Sequence, residues 1–197
     1  MIDIAAIVVV WGYILGFLYL TARTARRSGK PVWLFSAGRE RQTVPAMLFR
    51  TAFVLGGILP LITMWAEATG SPNTLIKRLG ADETVAVAGL LMAAFGAALA
   101  LYAQNYMGNS WRIGAAQGQL GAIVSGGPFA YSRNPVFVGQ IALFCGLALV
   151  YPTLAQLTVA LAIVAAAKLQ VRVEERVLAH DLGEAYVSYC RQVRRWL

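Results

Sequence analysis

Charged residues are scarce in this sequence. Only 13% of its 197 residues are Asp, Glu, Lys or Arg, whereas an ordinary soluble domain has about 25%. Hydrophobic residues make up 58% of the chain, and its mean hydropathy is +0.61. This composition is typical of a membrane protein and not of a soluble enzyme. No hydrophilic stretch is long enough to fold separately, so we expect one domain over residues 1–197.

Histidine and cysteine are also rare, which limits metal and disulfide chemistry. His180 is the only histidine, so a histidine-rich zinc or di-iron site would lack ligands. Cys145 and Cys190 form no C-x-x-C pair and indicate no disulfide framework. The first apolar run has no basic segment before it and no cleavage signal after it, so we expect it to be a retained helix.

Long apolar runs predict an all-α integral membrane protein of about five transmembrane helices. Such a helix needs about 20 largely apolar residues, with roughly 17 as the lower limit. Residues 1–103 hold three such runs, and residues 104–197 hold two shorter ones that we expect to form a tight hairpin, because Pro152 would break one continuous helix. The predicted spans are residues 2–21, 51–65 with 45–49 as an extension, 84–102, 136–150 and 154–167.

The basic residues are distributed unevenly about these spans. With five spans, the first loop, the third loop and the C-terminal tail share one side, and 15 of the 17 Lys and Arg residues fall there. Because Lys and Arg near helix ends resist translocation, we expect an outward N-terminus and a cytoplasmic C-terminus. The net charge of +8 then reflects orientation and contact with anionic membrane lipid, and we expect no nucleic-acid partner. The richness in Ala, Gly and Arg indicates a prokaryotic cytoplasmic (inner) membrane.

A polar loop with six glycines, residues 104–134, joins the third and fourth spans. Such backbone is tolerated at a membrane only in water, inside protein or around a ligand, and glycine allows close approach to a ligand. One interpretation is therefore a ligand-binding loop. The other is a simple turn before a well-capped helix, because Asn134 can cap its first turn and Pro135 suits that turn.

Two adjacent carboxylates, Glu174 and Glu175, follow the fifth predicted span. Neighbouring helical residues lie about 100° apart, so we expect one carboxylate to point inward; the sequence leaves open which one. Local pairing with Arg172 and Arg176 would instead make this a solvated surface. A position at the same membrane face as the glycine-rich loop favours a functional role.

The aromatic and aliphatic residues of the tail recur at three- and four-residue spacing. Tyr186, Tyr189, Val193 and Trp196 therefore predict an amphipathic C-terminal helix that lies in the membrane interface or over the bundle. We expect these side chains to pack and not to catalyse.

The C-terminal half combines three short motifs: Gly127-Pro128-Phe129, then Arg133-Asn134-Pro135-Val136-Phe137 with Gly139, then Glu174-Glu175 with Leu178, Gly183, Tyr186 and Tyr189. In this combination, over about residues 105–195, the chain resembles the isoprenylcysteine carboxyl methyltransferase and phospholipid methyltransferase superfamily. Gly108-Asn109-Ser110-Trp111-Arg112 also looks like bacterial members. Asn134 and Phe137 stand where the isoprenylcysteine enzymes have histidine and usually tyrosine, so the chain is more similar to the phospholipid and general bacterial branch.

The resemblance implies methyl transfer from S-adenosylmethionine (SAM) to a lipophilic small molecule or lipidated substrate at the cytosolic membrane face. It also implies that Glu174 holds the polar end of the cofactor, with Glu175 sharing that role, and that Arg172 is the nearest candidate for positioning a substrate carboxylate. The implied cofactor-binding residues are Gln119, Gly121, Ala122, Ile123, Val124, Phe129, Arg133, Asn134, Pro135, Val136 and Phe137.

The sequence leaves the acceptor open among an isoprenylcysteine-like carboxylate, a thiol and a phospholipid amine, and it leaves the oligomeric state open. Two other classes compete with this interpretation. One is a sterol-reductase-like membrane enzyme that binds NADPH, which the short chain disfavours. The other is a non-catalytic membrane assembly or transport factor, for which the helices offer few intramembrane charges.

Overall fold

The structure, a computed structural model, describes residues 1–29, 32, 43–71, 73–80, 82–113 and 123–197. Apolar runs of this length form helices because a helix pairs its own backbone donors and acceptors within one segment. The described chain is helical, with short 3-10 turns at Gly108–Ser110 and Gly127–Ala130. Its α-helices are α1 (Ile2–Ser28), α2 (Thr43–Ala68), α3 (Glu83–Met107), α4 (Pro135–Val150), α5 (Leu154–Leu182) and α6 (Glu184–Gln192).

Four segments within the described residues are long and apolar enough to cross a membrane: Ile2–Ser28, Ala46–Ala68, Glu83–Ser110 and Leu154–Leu182. The fifth apolar helix, α4, has 16 residues, just below the length that usually spans a bilayer. Residues 151–153 separate it from α5. The protein is thus an integral membrane protein whose described elements are helices, as the composition predicts. Helix α5 continues well past the predicted end at residue 167.

Helices α3 and α4 pack backbone against backbone through glycines. Gly89 and Gly96 on α3 and Gly139 and Gly146 on α4 are each seven residues apart, which is about two turns and places each pair on one face. A Cβ atom built on Gly96 would lie 2.5 Å from the carbonyl oxygen of Gly139, and one built on Gly146 would lie 2.5 Å from that of Gly89. This antiparallel contact sets the start of α4 beside the end of α3.

The helix ends that lie away from the start of α4 are joined by Arg78. Its guanidinium lies 2.8 Å from Asp3 at the start of α1 and 2.7 Å from Glu67 near the end of α2. It also donates to the carbonyl oxygen of Val150 at 3.1 Å and lies 4.9 Å from the centre of the Tyr151 ring. One side chain therefore connects α1, α2 and α4 at this end of the bundle.

The C-terminal helix is shorter than its periodicity predicts. Helix α6 ends at Gln192, and Val193 has extended backbone dihedrals, so the prediction of a helix through Val193 and Trp196 is wrong. The reason is tertiary: the carbonyl oxygens of Arg194 and Arg195 accept hydrogen bonds from Arg133 N and Asn134 Nδ2, both at 2.9 Å. Those bonds to the segment before α4 replace the bonds of another helical turn.

Candidate active site

A cavity lies at one end of the bundle, where α3 ends and α2 and α4 begin. The C-terminal turns of α5 and helix α6 close it on the other side. Its lining combines apolar side chains with charged and amide groups. The apolar members include Phe17, Phe49, Met107, Trp111, Val136 and Phe137, and the polar members include Arg112, Arg133, Asn134, Gln140, Gln170, Glu174 and Glu175.

The structure brings most of the sequence-predicted site residues to this one cavity. Gln119, Gly121 and Ala122 lie outside the described residues. Arg172 does not line the cavity: it is exposed on α5, beside a shallow outer depression that Arg176 also borders. The predicted residues that do line the cavity are Ile123, Val124, Phe129, Arg133, Asn134, Pro135, Val136, Phe137, Glu174 and Glu175.

The segment before α4 is shaped by one glycine and one proline. Gly127 has φ +55°, a conformation that glycine adopts without strain, and a Cβ atom there would lie 2.6 Å from the Tyr106 ring. Pro135 occupies the first turn of α4, where its missing donor costs nothing. Asn134 occupies the N-cap position, as predicted, but its side chain makes no capping hydrogen bond; its Nδ2 donates to the carbonyl oxygen of Arg195.

Glu174 and Glu175 have different surroundings, as their 100° separation around α5 predicts. The Glu174 carboxylate lines the cavity and accepts a hydrogen bond from Gln170 Nε2 at 3.0 Å, one helical turn earlier. Arg112 interacts with it electrostatically across the cavity. Glu174 therefore presents a carboxyl group to the cavity, with one amide donor at hydrogen-bond distance and one cation farther away.

Glu175 is held by two arginines. Its Oε1 lies 3.0 Å from Arg133 Nη2, and its Oε2 lies 2.7 Å from Arg195 Nη2. The Arg133 and Glu175 side chains are only 11% and 14% exposed, so this pair is largely removed from water. The hydrogen bond and charge of Glu175 raise the pKa of Arg195. Glu175 thus joins α5 to the segment before α4 and to the C-terminal residues.

Helix α6 is attached to the same wall of the cavity. The hydroxyl of Tyr189 donates to the carbonyl oxygen of Phe129 at 2.7 Å. Burial raises the pKa of Tyr189 to about 12, so this hydroxyl stays protonated and continues to donate at neutral pH. Tyr186 and Tyr189 pack with Ile123, Leu178 and Leu182, and both also line the cavity.

Several lining residues were not among the predicted site residues, and Arg112 is the most distinctive of them. Its Nη1 donates to the carbonyl oxygen of Ser110 at 3.1 Å. Burial lowers the pKa of Arg112, and the charges of Glu174 and Asp181 partly offset that effect. The signal in the sequence was the Gly108-to-Arg112 motif, whose arginine follows directly on the membrane helix. Gln140, which donates to the Tyr13 hydroxyl at 2.7 Å, was signalled only by its polarity within an apolar run.

These features define an integral membrane protein with a cavity at the end of its helices, lined by both charged and apolar side chains. A family model, PEMT: Phospholipid methyltransferase, matches residues 84–185, which is more than half of the chain. The protein therefore belongs to the phospholipid methyltransferase family, as its motifs predicted, and this family consists of methyltransferases. The matched region runs from α3 to α6 and contains most of the cavity wall. A search of curated proteins found no match.

Proposed function

We propose that the protein transfers a methyl group from SAM to a small lipophilic acceptor at the cytoplasmic face of the membrane. The observation that carries this proposal is the single cavity in which Glu174 and Asn134 lie together with Phe17, Phe49 and Phe137. A polar cofactor and an apolar acceptor need such a mixed lining, and membership of a methyltransferase family supports this reaction class.

The residues present fit the cofactor. Glu174 offers a carboxylate with one amide donor, which suits a cationic group such as the ammonium or the sulfonium of SAM. Ile123, Val124 and Phe129 offer apolar surface for an adenosine moiety. We propose that these residues and Asn134 hold SAM, with residues 119–122 expected to complete the site. Arg172 lies outside the cavity and takes no part in this proposal.

Bound SAM would supply a methyl group on a sulfonium, a good leaving group, so the protein needs no covalent nucleophile. What remains for the chain is to align the acceptor and to exclude water. Phe49 and Phe137, whose ring centres are 6.0 Å apart, provide an apolar wall against which a lipid tail can lie. A carboxylate or thiolate acceptor needs no base, whereas an ammonium acceptor must first lose a proton.

We also propose an orientation, with α4 as a fifth and short crossing that forms a hairpin with α5. The N-terminus would face outward and the C-terminus the cytoplasm of a prokaryotic cell. The charge distribution supports this: the cavity end carries arginines of α1, α5, α6 and the tail, whereas Lys77 and Arg78 lie near the other end. Lys and Arg are retained on the cytoplasmic side.

Calorimetric titration of the detergent-purified protein with SAM, and separately with NADPH, tests the function. We expect SAM to bind and Glu174→Gln to weaken SAM binding by about tenfold or more, because a charge-assisted hydrogen bond is lost. Glu184→Gln is the matched control, since its side chain is 80% exposed on α6, and it should change the affinity less than about twofold. Folded protein that binds no SAM, or binds NADPH instead, would overturn the proposal.

A further inference from the structure

Arg112 lines the cavity, and no carboxylate of the described residues forms an ion pair with it. Within the part of the chain that the structure describes, its Nη1 donates a hydrogen bond to the carbonyl oxygen of Ser110 at 3.1 Å. Among the residues that the structure describes, Glu174 and Asp181 act on it electrostatically, but neither lies within ion-pair distance. A guanidinium carries five N–H donors and stays charged in proteins. Arg112 therefore keeps donors available to a ligand in the cavity.

The other arginine of the cavity wall is already engaged. Arg133 donates through Nη2 to Glu175 at 3.0 Å and through Nη1 to the carbonyl oxygen of Cys190 at 3.3 Å, so both of its terminal nitrogens have protein partners. Glu175 is likewise engaged by Arg133 and Arg195. Among the described lining residues, Arg112 and Glu174 are the charged side chains that have no ion pair, and they interact with each other only at longer range.

We propose that Arg112 binds the α-carboxylate of SAM while Glu174 binds the α-ammonium of the same amino-acid end. This inference rests on the proposed function. The free amino-acid end of SAM is a zwitterion, and two separated protein charges of opposite sign match its two groups. The planar guanidinium also matches a carboxylate geometrically, since it can donate two parallel hydrogen bonds to the two oxygens.

A carboxylate could also come from an acidic acceptor. Glu174 decides between the two sources, because its negative charge in the same cavity would repel an acceptor that carries only a carboxylate. The same charge attracts a ligand that carries an ammonium beside its carboxylate. The pair therefore assigns Arg112 to the cofactor and not to the acceptor.

Two ligands that differ by one carboxylate test the assignment: S-adenosylhomocysteine and its decarboxylated analogue S-adenosyl-3-thiopropylamine. We expect calorimetry on the wild-type protein to show tighter binding of S-adenosylhomocysteine by about 10- to 100-fold, the range for hydrogen bonds to a charged group. Arg112→Gln should remove this preference while changing the affinity for the decarboxylated ligand less than about twofold. Arg112→Lys, which retains the positive charge, should keep part of the preference for S-adenosylhomocysteine.

Arg191→Gln on α6 is the matched control for removal of a positive charge, since its side chain is 74% exposed, and it should keep the full preference. Wild-type and Arg112→Gln proteins with the same ligand preference would overturn the assignment of Arg112 to the cofactor. Equal losses for both ligands in Arg112→Gln would also overturn it, because they would indicate a packing role. Failure of the wild-type protein to bind either ligand would instead contradict the proposed function.

Discussion

Glu175 illustrates how one side chain can hold three segments together. It accepts from Arg133 before α4 and from Arg195 in the C-terminal segment, and the Arg133 pair is largely buried. Removing one partner of such a pair leaves an uncompensated buried charge, which is costly even where the intact pair contributes little. We therefore interpret Glu175 as a residue that positions the cavity wall, in contrast to the neighbouring Glu174.

The substitution Glu175→Gln should destabilise the protein. Because Arg195 is about half exposed, we expect the loss to lie near the low end for buried pairs, about 3 kcal/mol. For a chain of this length that is roughly 6–12 °C in Tm. Thermal unfolding in detergent, followed by circular dichroism, measures it. Glu184→Gln should leave Tm within about 1 °C, and an unchanged Tm in Glu175→Gln would refute the anchoring role.

The sequence predicted that Glu174 and Glu175 differ but did not indicate which one faces the cavity. The 100° rotation between them is a local property of the helix, and local sequence defines it. The partners that distinguish them, Arg133 and Arg195, lie 42 and 20 residues away along the chain. Only packing of α5 against the segment before α4 brings those charges together.

The contact between α3 and α4 depends on glycines that leave no room for a side chain. A Cβ atom on Gly96 would lie 2.5 Å from two backbone atoms of α4, which cannot move aside as a flexible side chain can. The two helices would have to separate, and the start of α4 would move with respect to the end of α3. The geometry of the cavity therefore depends on residues that do not line it.

Accordingly, Gly96→Ala should lower stability by about 1–3 kcal/mol, the usual cost of overpacking a tight contact. Gly12→Ala is the control on α1, where a Cβ atom would meet nothing within 4 Å. There alanine should be neutral or stabilise by up to about 1 kcal/mol, because glycine is the weaker helix former. The Tm values of both variants, measured by thermal unfolding in the same detergent, test this difference. Equal Tm changes in the two would contradict the close α3–α4 contact.

Element boundaries were predictable only where hydropathy sets them. Apolar runs located α1 to α4 because the membrane requirement acts on each segment separately. Hydropathy could not locate the end of α5, because the last turns of this helix are polar and are stabilised by contacts with the cavity wall. Nor could periodicity show that α6 ends at Gln192, because the competing hydrogen bonds come from residues 133 and 134.

The whole molecule has the cavity at one end and a cluster of ion pairs around Arg78, the Arg78 clamp, at the other. Arg78 joins the start of α1, the end of α2 and the end of α4, and its side chain is only 20% exposed. These contacts lie at the helix ends away from the cavity. We therefore expect the clamp to contribute to the stability of the bundle without shaping the ligand site.

The substitution Arg78→Gln should cost roughly 1–2 kcal/mol, since the exposure of Asp3 and Glu67 weakens each ion pair. The expected fall in Tm is a few degrees, while the affinity for S-adenosylhomocysteine should stay within about twofold. Lys77→Gln, which removes the adjacent exposed charge, should change neither quantity. A large loss of ligand affinity in Arg78→Gln would show that the two ends of the bundle are coupled.

Composition, apolar run length and the motifs of residues 105–195 were enough to predict a helical membrane protein and its family. Those properties depend on short stretches of sequence, and each stretch can be interpreted without knowing the rest of the fold. Tertiary structure alone decided that Arg112 lines the cavity, that Arg172 lies outside it, and that Arg133 and Arg195 pair with Glu175 and not with Glu174. The physical reason is that the cavity forms where α1 to α6 meet, and which side chains face it depends on how each helix is rotated against its neighbours.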